Sequence, residues 1–86
     1  MKPRKQPYGD KNISGAIIEQ LRKERNMKQL ELATQMQVLG VDMNLSSLSK
    51  LEGQMRIATD RELRAIAYIF HVSMDDLVPK IETPEN

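Results

Sequence analysis

Residues 59–70, TDRELRAIAYIF, fix the first firm element of the chain. Thr59 and Glu62 stand three apart, the spacing at which a hydroxyl and a carboxylate reciprocally satisfy the free N–H groups at a helix start. Leu63, Ile66, Ala67 and Phe70 then recur at i, i+3, i+4 and i+7, the apolar stripe of an α-helix. Downstream, Ser73 and Asp76 repeat the box ahead of Leu77, which predicts one more helical turn before Pro79 stops it. Upstream, Asn44 caps a short helix in which Leu48 and Leu51 point inward and Ser46, Ser49 and Lys50 outward, with Gly53 at its end. A further helix runs from Gln29 with Leu32, Ala33 and Met36 at helical spacing, and Leu39 as another candidate. Gly40 stops it, and Val41 and Asp42 turn the chain. The first helix starts at Ser14 as N-cap, with Ile17, Ile18 and Leu21 along one side and Ile13 stapled against Ile18. It ends at Asn26.

The reading is all-α, a compact bundle of about five short helices. Residues 1–12, with two prolines, a glycine and no apolar periodicity, are expected to form a flexible basic N-terminal arm. Residues 13–79 make the domain and 80–86 a C-terminal tail. Composition agrees: 40% of the 86 residues are hydrophobic but only 3% aromatic, namely Tyr8, Tyr68 and Phe70. The interior must therefore be built from Leu, Ile, Met and Ala, which favours helices over strands. At this length one domain is expected. The absence of cysteine excludes a disulfide framework and any thiolate metal site, and no cofactor or metal is expected. No apolar run reaches the roughly 18 residues of a membrane span. The basic opening leads into Gln6, Pro7 and Tyr8 instead of a signal-peptide core, so the expectation is a soluble, cytoplasmic protein with no membrane partner.

The net charge of +1 hides an asymmetry. Residues 1–28 carry eight basic and three acidic side chains, and residues 29–86 carry five basic and nine acidic ones. Such a gradient suits either a side that faces a polyanion or a solvated basic arm. Catalysis lacks the inventory. The single histidine, His71, has no second histidine or cysteine to join it, and the adjacent Asp75 and Asp76 diverge on a helix. The phosphate-loop pattern GxxxxGKS/T and the nucleophile elbow GxSxG are absent, and no enzyme activity is expected.

Two consecutive short helices, the second presenting small polar residues and a lysine, suit a helix-turn-helix that lays its second helix in the major groove. On the segments IIEQLRKERNMKQLELA (17–33), SSLSKLEGQMR (46–56) and TDRELRAIAYIFHVSMDDL (59–77), the chain resembles the lambda-repressor-like, Cro-type helix-turn-helix domains of phage repressors and bacterial regulators. The resemblance implies a five-helix DNA-binding domain, usually dimeric. It assigns Gln29, opening the second helix, to a phosphate, with Lys28 before it where the family commonly has Thr. It places base reading on Asn44, Leu45, Ser46 and Ser47, with Lys50 one turn later, and a backbone contact on Arg56. Ser46 and Ser47 suit bases or phosphates, and Lys50 suits guanine or backbone. Leu45 suits a thymine methyl, but its place three residues before Leu48 favours partial burial in the core. The resemblance also implies an internal ion pair of Arg22 with Glu52. Two departures stand out: the stretch QVLGVDMN (37–44) is several residues longer than the family's tight turn, and Gly53 comes one place early, with Gln54 at the usual glycine position.

The expected function is a sequence-specific DNA-binding transcriptional regulator, a repressor that binds a palindromic operator in double-stranded DNA as a homodimer. Ile69, Val72, Met74, Val78 and Ile81 are more apolar residues than one last turn hides, and they are the expected dimer interface. With no length for a sensor domain, a regulatory protein partner is one expected route of control. The alternative is a protein-interaction module of the same fold, of antitoxin or anti-repressor type. A third class is a nonspecific nucleic-acid binder relying on Lys2, Arg4 and Lys5 of the arm.

Overall fold

The starts of α3 and α4 fall where their capping residues put them. In the computed structural model, which describes residues 6–83, four α-helices follow in order: α1 (Gly15–Glu24), α2 (Gln29–Val38), α3 (Leu45–Glu52) and α4 (Asp60–Phe70). No strand occurs among the described residues. The expected fifth helix is a single 3-10 turn, Met74–Leu77, so the described residues form four α-helices. The reason is local. Only a few residues separate Ser73, whose N–H and hydroxyl both donate to Asp76 Oδ2 at 3.0 Å, from Pro79, too short a span for a series of i→i+4 bonds.

The α4 box is formed in both directions, with Glu62 N–H donating to Thr59 Oγ1 at 3.2 Å and Thr59 N–H to Glu62 Oε1 at 3.0 Å. The expected Ser14 cap on α1 is not formed. Ser14 is already helical at φ −102° and ψ −23°, whereas a capping hydroxyl needs extended backbone. Asn12 takes the role from two residues earlier, its Oδ1 accepting from Ser14 N–H at 3.0 Å and Gly15 N–H at 2.8 Å. Gln54 Oε1 accepts from Ala16 N–H at 3.1 Å, so the next free donor is satisfied from across the molecule. Ile13, expected as a staple, is 63% exposed.

That cross-chain cap belongs to a wider seam. Gly9 N–H donates to Gly53 O at 2.8 Å and Lys11 N–H to Gln54 O at 2.9 Å. The Asn12 amide donates to Leu51 O at 3.0 Å and Arg56 O at 2.8 Å. The arm expected over 1–12 is therefore fixed from residue 9 onward, because its backbone groups find partners at the α3–α4 link. Gly15 makes the close approach possible: a Cβ there would lie 2.4 Å from Leu51 O. Lys2, Arg4 and Lys5 lie outside the described residues.

The core joins Ile18 of α1, Leu32 and Met36 of α2, Leu48 and Leu51 of α3, Ile66 and Phe70 of α4, and Leu77 of the 3-10 turn. Sequence periodicity misses one further member, Met43, which is 1% exposed. After Gly40 turns at φ +85°, residues 41–44 form an irregular link in which Met43 is buried. The Gln37 amide donates to the Met43 carbonyl and holds the link against α2. The extra length between α2 and α3 is thus used to fill the core.

Candidate nucleic-acid interface

Asn44 starts α3 as expected, extended at φ −126° and ψ 172°, with Ser47 N–H donating to its Oδ1 at 2.8 Å. Leu48 and Leu51 are fully buried. By helical geometry Ser46, Ser49 and Lys50 then face outward; all three are exposed, and Ser47 is half-buried. Leu45 is 47% exposed, against the partial core burial expected of it. The core at this end is closed instead by Met43. No side chain of the described residues forms a hydrogen bond or ion pair with the Lys50 ammonium.

The inner end of α3 is fastened by charge. Glu52 is 0% exposed and Arg22 8%. Arg22 Nε donates to Glu52 Oε2 at 2.7 Å and Nη2 to Oε1 at 3.0 Å, a bidentate pair in the place the resemblance implies. Arg22 Nη1 also donates to Met27 O at 2.8 Å, and Gln29 Nε2 to Glu52 Oε1 at 2.9 Å. Four donors thus tie the ends of α1, α2 and α3 into one block. Gln29, expected as a phosphate contact, has one amide N–H committed to this block. Lys28 before it is exposed, and its side chain has no acceptor with which to cap α2; its backbone N–H lies 3.4 Å from Glu31 Oε1 and its carbonyl accepts from Leu32 N–H at 3.1 Å.

Arg56 lies apart from the role expected of it, because its donors are spent inside the molecule. Nε donates to Ser47 O at 3.0 Å, Nη1 to Ile57 O at 2.8 Å and Glu62 Oε1 at 3.0 Å, and Nη2 to Glu62 Oε2 at 3.0 Å and Met43 Sδ at 3.8 Å. A phosphate would have to displace one of these. Burial pushes the Glu62 carboxyl up, but the Arg56 hydrogen bonds, the Thr59 N–H, the guanidinium charge and the Thr59 hydroxyl outweigh it. The net effect holds Glu62 below its ordinary 4.5. Arg56 therefore braces the start of α3 against the start of α4.

Of the expected dimer residues, Ile69 and Val72 are partly buried against the core. Val78 is half-buried, while Met74 is 40% and Ile81 91% exposed. The helical stripe of α4 reaches further into the core than its last turn suggested.

Asn12 and Gln54 were both missed by sequence reading. Asn12 had a signal, an Asx residue just ahead of a helix start; Gln54, at φ +59° directly after Gly53, had none that periodicity registers. Among the described residues no group of three or more His, Asp or Glu is placed to hold a metal ion, and no helix is long and apolar enough to cross a membrane. No family model, no curated protein and no solved structure matches the chain.

Proposed function

We propose that the protein is a sequence-specific DNA-binding regulator in which α2 and α3, joined by the link 39–44, act as a helix-turn-helix and α3 enters the major groove. The observation that carries this reading is the outer face of α3. Leu45, Ser46, Ser49 and Lys50 stand exposed on a helix whose opposite side and far end are locked by Leu48, Leu51 and the Arg22–Glu52–Gln29 cluster. Small hydroxyls, an aliphatic side chain and one free ammonium on a rigid helix suit base edges, thymine methyls and guanine. Lys28 and the uncapped start of α2 suit a phosphate. A homodimer formed through the Met74 and Ile81 end would set two such helices about 34 Å apart on a palindromic operator, and repression is the simplest regulatory outcome.

Selection of binding sites from random duplex DNA tests the proposal directly. Enrichment of a palindrome is the expected result; equal retention of all duplexes would leave only nonspecific binding, and no retention would remove DNA from the reading. A second reading, a protein-interaction module of the same fold, is favoured by one observation, the 47% exposure of Leu45 on the presenting face. Salt separates the two, since phosphate contacts release counterions and an apolar protein contact does not.

A further inference from the structure

We infer that the groove between the C-terminal end of α2 and the outer side of α4 is a docking site for an acidic amphipathic helix of another protein. Three shallow depressions meet at Leu39 and run side by side along α4. The apolar side chains of the middle one are Leu39, Val41, Ala65 and Tyr68, and it is open, with Leu39 44% and Tyr68 69% exposed. Arg61 and Arg64, three residues apart and so on one side of α4, form the rim with Asp60 at its end, two cations against one carboxylate. From Arg61 to Tyr68 the helix rises about 10 Å, room for roughly two turns of a partner helix.

The arginines decide the chemistry of the occupant. Arg22, Arg25 and Arg56 all spend their guanidinium donors on carbonyls or carboxylates within the fold. Arg61 and Arg64 have no such partner among the described residues. A guanidinium with unspent donors beside an apolar floor selects aliphatic side chains flanked by carboxylates, the pattern of an acidic amphipathic helix. A second copy fits less well. In a two-fold contact centred here the same patch meets itself, setting the arginine rims of both copies against each other. No groove residue belongs to α3, so the site does not overlap the proposed base-reading face, although Leu39 and Val41 lie in the link to α3 and Met74, at the proposed dimer end, lines one depression.

The test is selection of peptides of about 16 residues from a random helical library on the full chain, followed by anisotropy of the winning peptide, labelled. The expected winners carry apolar residues at i, i+3 or i+4, and i+7 with Glu or Asp beside them. Joint Arg61→Glu and Arg64→Glu should weaken binding at least about tenfold, and a Glu→Lys peptide should recover it on that variant. Tyr68→Ala should weaken it as well, whereas Lys50→Glu, outside the groove, should change it less than about twofold. All these positions are exposed, and thermal melts of each variant report whether the fold is kept. The inference is overturned by an absence of winners, by winners without acidic bias, or by affinity indifferent to the arginine reversal. Self-association of the free chain that Tyr68→Ala abolishes would also overturn it, in favour of a second copy.

Discussion

Glu52 shows how one buried charge organises its surroundings. A carboxylate at 0% exposure is tolerated only when its charge and lone pairs are met, and here Arg22 and Gln29 meet them. Removing one partner leaves the other uncompensated, so Arg22→Ala or Glu52→Ala alone should cost about 3 kcal/mol or more in urea unfolding. An exposed pair would cost under about 1 kcal/mol, and a loss that small in both variants would contradict the buried geometry. The Arg56–Glu62 clamp should appear in the pH dependence. Glu62 titrates below 4.5 in the folded chain, so its contribution is present in full above that value and is lost as pH falls through the folded pKa. Urea midpoints measured from about pH 6 to pH 3 should fall less steeply for Glu62→Gln than for the natural chain. Parallel curves would show that the clamp does not carry the linkage.

Among the elements, α1 gives the sharpest expectation because two rules oppose each other at Gly15. Helix propensity alone says that Gly15→Ala should stabilise by up to about 1 kcal/mol. The new Cβ would lie 2.4 Å from Leu51 O and 2.6 Å from Glu52 O, backbone atoms that have little room to give. Gly15→Ala should therefore destabilise, by about 1–3 kcal/mol, and a raised melting temperature would show that α1 and α3 separate more easily than their packing implies. The same helix marks where sequence reading stopped. Thr59, Asn44 and Gly40 act through neighbours three or fewer residues away, and each was legible from spacing. The acceptors of the Asn12 amide, the backbone packed against Gly15 and the groups bonded to the Gln54 side chain lie more than 30 residues distant, and no local period encodes them. Met43 escaped for a related reason, since a single buried residue in an irregular link has no repeat to reveal it.

For the molecule as a whole, the presenting face of α3 was read from the sequence, including Asn44 as cap and Lys50 as an outward cation. The anchoring residues were less legible, because Gln29 and Arg56 look from sequence like free surface donors and only the fold shows their donors engaged. The two kinds of contact should separate in binding measurements. Lys50→Ala should change affinity unevenly, by about 1–3 kcal/mol at one or two base positions, whereas Lys28→Ala should weaken all duplexes alike and lower the salt slope by about one unit. A uniform shift for Lys50→Ala would make it a phosphate anchor. Finally, the seam between residues 9–12 and 51–56 has a temporal meaning. During synthesis the first helix emerges early, but two of its capping partners, Gln54 and the Leu51 carbonyl that holds Asn12, are added about 40 residues later. Chains halted before residue 51 should show exchange-labile amides at Ala16 and Lys11 that become protected once the chain passes residue 56, so the beginning of this protein is completed by its middle.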